Sequence, residues 1–196
     1  TSDLSEFTLY STNGTSWTKG TGPTKTTTDD YSLGSMATDG TTLFYPSAAG
    51  TYWYTSTSSP PQFIQRTTSP IPWGGNSYGC AWTTENGFIA VGAASKMGIS
   101  ANAITFSPYT NPTVNANSNS RVWAAPTSAT YKTVVIASPW TSSTTWAISY
   151  DGGSTWTTTS LPASVGTNGA YGAAIIGNKI YVFEWTTSNI FVGTLS

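Results

Sequence analysis

The chain has 196 residues, with seven Lys and Arg, eight Asp and Glu, no histidine and a formal net charge of −1. Charged residues make up only 8%, against about 25% in an ordinary soluble domain. This excludes the clustered basic face that nucleic acid requires and an electrostatic hold on a membrane surface, and no apolar run approaches the roughly 20 residues that span a bilayer.

Hydrophobic residues at 38% and aromatics at 14% supply enough apolar surface for a packed core. Thr, Ser, Asn and Gly must then cover the solvent face. Thr, Tyr and Trp suit a pleated sheet, whereas good helix formers are scarce and no helical periodicity is sustained. The composition predicts an all-β chain.

In chain order, Phe7–Tyr10 and Ser16–Thr18 read as two short strands. Four similar units follow, each opening on a small apolar strand: Gly34–Ala37, Gly79–Trp82, Arg121–Ala124 and Tyr171–Ala174. Taken as markers, Ala37, Ala81, Ala124 and Ala174 are 44, 43 and 50 residues apart, and a four-stranded propeller blade takes about 40–50 residues. Each marker leads through a turn to a second apolar strand: Leu43–Tyr45, Phe88–Val91, Val134–Ile136 and Ile180–Phe183. Three of those turns carry Asp39-Gly40, Asn86-Gly87 or Gly177-Asn178, which are hairpin signals. Third strands are predicted at Tyr52–Tyr54, Ala103–Phe106, Trp146–Ser149 and Ile190–Val192. Polar fourth strands are predicted within Gln62–Pro70, around Thr113-Val114 and within Ser154–Pro162.

A crowded apolar first strand and a polar last strand are the gradient of a propeller blade, whose inner strand meets the axis and whose outer strand meets water. The expectation is one all-β domain over residues 1–196, a small β-propeller-like repeat fold of about four blades of four antiparallel strands. The units run approximately over 32–74, 75–117, 118–166, and 167–196 together with 1–31. In that scheme the N-terminal strands complete the last blade and close the ring, a closure that removes a sticky edge. Pairing of the two ends with neighbouring chains, giving a homo-oligomer, is the other arrangement, and a β-sandwich of about fourteen strands is the alternative fold.

The segment Ser149-Tyr150-Asp151-Gly152-Gly153-Ser154-Thr155-Trp156 reads Ser-x-Asp-x-Gly-x-Thr-Trp. It resembles the Asp-box, or BNR repeat, of β-propeller proteins. A shorter relative is Ser11-Thr12-Asn13-Gly14-Thr15-Ser16-Trp17, with Asn for Asp and one residue fewer; the other two units lack the motif. The resemblance implies a hairpin between the third and fourth strands of a blade, with Asp and Gly making the turn and Trp packed beneath it. It also implies that Asp151 and Trp156 serve the fold, because the motif faces away from the family's ligand sites. Asp-box proteins include sialidases, other glycosidases, lectins and phage tail proteins.

An enzyme is not expected. The sialidase pattern needs three arginines, and this chain has Arg66 and Arg121 alone. A glycosidase needs two carboxylates about 5–10 Å apart across a cleft, yet Asp39, Glu85 and Asp151 sit in turn signatures, Asp3 and Glu6 lie near a terminus, and Asp29 and Asp30 are adjacent in a Thr-rich stretch. Glu184, after an apolar strand, has no evident turn role. Without histidine there is no Ser-His-Asp triad. No Cys/His cluster suggests zinc and no Gly-rich loop suggests a phosphate, and Asp29 and Asp30 follow no known calcium-loop pattern. No cofactor or metal is expected. Cys80, between Gly79 and Ala81-Trp82, reads as a small buried thiol.

The residues leading into each first strand are Asp29–Ser32, Trp73–Tyr78, Asn117–Arg121 and Thr167–Tyr171. Each combines Asp or Asn with Tyr, Trp or Arg. Planar amides and carboxylates pair with neighbouring sugar hydroxyls, and an aromatic face covers the sugar's C–H surface at little entropic cost. The candidate ligand-binding residues are therefore Asp30, Tyr31, Trp73, Asn76, Tyr78, Asn119, Arg121, Asn168 and Tyr171. Such Asn-Gly-Ser clusters also make plain turns. Trp73, after Pro72 and before Gly74-Gly75, is the candidate for an exposed stacking platform, while Trp17, Trp82, Trp123, Trp146 and Trp156 read as core or inter-blade packing.

The expected function is lectin-like recognition of a glycan or glycoprotein. A structural or receptor-contacting subunit of an extracellular assembly, such as a phage tail or capsid appendage, is the alternative, and a glycosidase comes third. Low charge, Thr and Ser richness and the sequon Asn13-Gly14-Thr15 suit a secreted or virion-surface protein. No signal-like segment stands at the start of the sequence, as in a processed precursor or an excised domain.

Overall fold

The computed structural model describes residues 5–24, 36–47, 52–67, 73, 77–92, 96–110, 120–125, 135–139, 145–160, 170–184 and 189–195. These residues form only strands and turns.

The N-terminal hairpin pairs β1 (Ser5–Tyr10) with β2 (Thr18–Thr24). Three four-stranded antiparallel sheets follow. The first contains β3 (Ala37–Thr38), β4 (Leu43–Pro46), β5 (Trp53–Ser56) and β6 (Ile64–Arg66). The second contains β7 (Ser77–Thr83), β8 (Gly87–Gly92), β9 (Lys96–Ser100) and β10 (Ser107–Thr110). The third contains β11 (Ser120–Ala124), β12 (Val135–Pro139), β13 (Thr145–Ser149) and β14 (Thr157–Ser160). A last sheet has three strands, β15 (Ala170–Ile176), β16 (Lys179–Glu184) and β17 (Ile190–Thr194). Within each sheet every strand pairs with its neighbour in sequence.

The sheets meet through their first strands: β3 against β7, β7 against β11, and β11 against β15. All four first strands line one channel of about 300 Å³, and the repeat markers Ala37, Ala81, Ala124 and Ala174 all face it, together with Met36, Trp82 and Trp123. That arrangement is the reason for the alanines and glycines. A Cβ on Gly79 would stand 2.7 Å from the Val122 backbone nitrogen and 2.8 Å from Arg121 Cα, so a larger residue there would push the second and third sheets apart at the axis.

The second strand β8 is clamped between neighbouring sheets. Phe88, Ile89, Ala90 and Val91 on β8 are fully buried. Fourth strands face solvent, and all four residues of β14 are exposed. One apolar cluster joins Phe44 and Trp53 of the first sheet to Cys80, Phe88, Ala90, Ala103 and Phe106 of the second, and a second cluster joins Ile89, Val91 and Met97 to Val122, with Trp156 packed against it. A third joins Trp146 to Ile180, Val182 and Leu195. The core therefore lies between sheets stacked about an axis, which is a propeller-like arrangement and not the two facing layers of a sandwich.

Three elements differ from the sequence reading. Ala103–Phe106 is a turn and its exit, and the third strand of that sheet is β9, Lys96–Ser100. Its fourth strand is β10, while Thr113-Val114 lies outside the described residues. The apolar look of Ala103, Ile104 and Phe106 comes from a turn that buries Ala103 and Phe106 and leaves Ile104 at the surface. Finally, among the described residues β1 and β2 form a two-stranded sheet of their own.

Candidate functional site

The best-defined local chemistry is the turn between β13 and β14. Ser149 Oγ donates to Asp151 Oδ1 at 2.8 Å and accepts from the Gly153 N–H at 2.7 Å. Asp151 Oδ1 also accepts from the Thr155 N–H at 2.8 Å, and Oδ2 from the Thr155 hydroxyl. Burial acts to raise the Asp151 carboxyl, but these bonds from Thr155 and Ser149 outweigh it and hold the group below the ordinary aspartate value. Trp156 closes the turn, its Nε1 donating to the Gly153 carbonyl at 3.0 Å.

The same turn recurs where the sequence reading saw none. Ser100 Oγ donates to Asn102 Oδ1 at 3.1 Å, and Asn102 Oδ1 accepts from the Ile104 and Thr105 N–H groups. In the N-terminal hairpin Ser11 and Asn13 repeat the pattern. The third residue after each serine takes a left-handed backbone: Gly14 at φ 74°, Ala103 at 58° and Gly152 at 73°. The usable signal is a serine ending a strand, with Asp or Asn two residues later. Requiring glycine and tryptophan hid the copy in which Ala103 and Phe106 take those places.

Where these turns meet the preceding sheet, one carbonyl is gripped. Trp53 Nε1 donates to the Ala103 carbonyl at 2.8 Å. Gly152 offers the equivalent carbonyl, which accepts from Thr83 Oγ1 and Asn86 Nδ2, each at 3.0 Å. Asn86 Nδ2 also reaches Ser154 Oγ at 2.7 Å, and the Tyr109 hydroxyl donates to the Ser154 carbonyl at 2.7 Å. The turns are thus inter-sheet locks.

Of the nine predicted ligand residues, Asp30, Tyr31, Asn76, Asn119 and Asn168 lie outside the described residues. Tyr78 lies on β7 and Tyr171 on β15, both channel-lining strands. Arg121 is on β11 and half-buried. Trp73 is corrected: it is 0% exposed, packed edge-on with ring centroids 5.0 Å from Phe106, 5.6 Å from Trp53 and 6.3 Å from Phe44. Gly92 lets this segment in, since a Cβ there would stand 2.3 Å from the Trp73 carbonyl oxygen. Three aromatic partners hold the indole in the core, so it cannot serve as a sugar platform in this conformation. Trp17, expected in the core, is 61% exposed.

Among the described carboxylates, Glu6 lies on β1 and Glu184 on β16, and the others sit at turns. Asp39 Oδ1 accepts from the Thr41 and Thr42 N–H groups, Asp151 does the same for its own turn, and Glu85 is exposed beside Gly152. Among the described residues no group of three His, Cys, Asp or Glu could hold a metal. Cys80 is buried and its Sγ donates to the Phe44 carbonyl at 3.9 Å.

Antiparallel sheets stacked about a shared channel place the chain among proteins with a β-propeller-like fold. Consistent with that class, it is similar to a solved structure described as YCF48 bound to D1 peptide, with a TM-score of 0.61 at 12% sequence identity over 93% of this chain. The chain spans 56% of the length of that structure. No protein-family model matches, and no curated protein matches.

Proposed function

We propose that this protein is a non-enzymatic, extracellular binding module that recognises carbohydrate with the segments leading into its four channel-lining strands. The observation that carries the reading is the convergence of β3, β7, β11 and β15 on one channel. Each of these strands is preceded in sequence by a segment that combines Asp or Asn with Tyr, Trp or Arg. Four modest sites around an axis suit multivalent sugar recognition. We also assign Ser149–Trp156 to the Asp-box family, supported by its position between third and fourth strands and by the Ser149–Asp151–Thr155 bonds; its role here is to lock sheets.

The test is a broad glycan array probed with the folded protein, beside an Asn119→Ala, Asn168→Ala double variant of equal thermal stability. Selective binding by the parent that the variant weakens supports the reading. Silence across the array overturns it.

A second reading, a structural subunit of an extracellular assembly, is favoured by one observation. Among the described residues the last sheet ends on β17, whose Ile190 and Val192 are 55% and 58% exposed.

A further inference from the structure

The turn that joins β1 to β2 carries chemistry that the channel and the inter-sheet locks leave unused. Asn13-Gly14-Thr15 is an Asn-x-Thr sequon, and the second such triplet in the sequence, Asn111-Pro112-Thr113, is closed by its proline. Asn13 Oδ1 accepts from the Thr15 and Ser16 N–H groups, each at 2.9 Å, and from Ser11 Oγ at 3.1 Å. Ser11 Oγ in turn accepts from the Gly14 N–H at 2.8 Å. Every one of these bonds to Asn13 uses its side-chain oxygen. The side-chain nitrogen, Nδ2, has no partner among the described residues, nor has the Thr15 hydroxyl. Asn86 is the opposite case: its Nδ2 is spent on Asp151, Gly152 and Ser154. Residues 12–19 are all exposed, and a Cβ on Gly14 would meet nothing within 4 Å. The turn thus offers solvent an amide nitrogen and the hydroxyl two residues on, and its backbone is held without either group.

We propose that Asn13 is a site of covalent N-glycosylation, taking an oligosaccharide from a lipid-linked oligosaccharide diphosphate. A bond forms between Nδ2 and C1 of the first sugar, and the bond from that C1 to the diphosphate oxygen breaks. Nδ2 gives up one proton, and the lipid diphosphate departs with the bonding pair. Oδ1 remains an amide carbonyl oxygen after the transfer, so it accepts the same three bonds and the turn is kept. The glycan projects from the tip of the β1–β2 hairpin, where Leu9 and Trp17 are 57% and 61% exposed, and adds hydrated bulk at that surface. The inference rests on the extracellular setting of the proposed function and is independent of what the channel-entry segments bind.

The experiment translates the full chain, behind a cleavable secretory leader, into endoplasmic-reticulum microsomes. The product is read by intact mass and by peptide-N-glycosidase treatment in heavy-oxygen water, which marks the residue that bore the glycan. Loss of the leader reports translocation. A mass increase of one N-linked glycan is expected, with the mark at Asn13 alone. Asn13→Asp, which keeps the turn's acceptor as Asp151 does in the third sheet, loses the whole increase, and so does Thr15→Ala. A translocated chain left unmodified, in microsomes that modify a control glycoprotein, overturns the proposal, as does a glycan borne by another residue. A glycosylated chain that lacks the cooperative thermal transition of Asn13→Asp also overturns it, because Nδ2 is then not free in the folded turn. Silence on the glycan array, by contrast, bears on the channel-entry segments and leaves this site standing.

Discussion

The Asn86 side-chain amide donates to the Gly152 carbonyl at 3.0 Å, tying the hairpin of one sheet to the turn of the next across 66 residues of sequence. Its further bonds, to Ser154 Oγ at 2.7 Å and to the Asp151 carbonyl at 3.4 Å, engage the same turn. Asn86 was legible as a hairpin residue; that its side chain reaches the next sheet was not.

Asn86→Ala removes all three side-chain bonds and leaves the Gly152 carbonyl with the Thr83 hydroxyl alone. A loss of about 1–3 kcal/mol is expected, since hydrogen bonds contribute roughly 1 kcal/mol each and an unsatisfied buried partner costs more. Urea unfolding followed by tryptophan fluorescence measures it. A change below about 0.5 kcal/mol, the range of ordinary surface substitutions, would show that the contact does not lock the sheets.

Asp151 titrates below the ordinary aspartate value, because the Thr155 and Ser149 bonds outweigh its desolvation. A carboxyl depressed in the folded state stabilises above its unfolded value, about 3.9, and that contribution is lost as pH falls through the folded value. Asp151→Asn keeps the turn's acceptor, as Asn102 does in the second sheet, and removes the titration. Wild type is therefore expected to lose more stability than Asp151→Asn between pH 5 and about pH 2. Parallel thermal-denaturation profiles for the two proteins would contradict the assignment.

Trp73 belongs to the core. Trp73→Ala is expected to cost about 3–5 kcal/mol, the range for truncating a buried aromatic. Ligand binding per folded molecule should be unchanged. Chemical denaturation and a binding assay corrected for folded fraction separate the two. A stable variant that loses binding would restore Trp73 as a platform.

How much was legible follows from where the information sits. The Ala37, Ala81, Ala124 and Ala174 spacing revealed the repeat, because a crowded axis accepts only small side chains and the spacing of such positions survives sequence drift. The second strands were legible from continuous apolar runs such as Phe88–Val91, which are buried on both faces. Trp73 was misread because local signals, Pro72 before and Gly74-Gly75 after, report backbone bending and say nothing of where an indole packs. Ala103–Phe106 was misread because a turn that inserts into a neighbouring sheet is as apolar as a strand. Trp17 was misread for the opposite reason: a turn tryptophan packs only where a preceding sheet receives it, as Trp156 is received by the second sheet. Of the predicted site, Tyr78, Arg121 and Tyr171 fall on first strands, and the remaining loop residues belong to segments whose chemistry was read from composition alone.

In the proposed function, ligand is held by the four segments leading into the channel-lining strands. The most direct measurement is amide chemical-shift mapping of the labelled chain, titrated with the strongest glycan from the array. Saturable shifts clustered in residues 29–32, 73–78, 117–121 and 167–171 are expected, with the exposed fourth strands β6, β10 and β14 unmoved. Shifts centred on those outer strands, or on the Ser149–Trp156 turn, would contradict it.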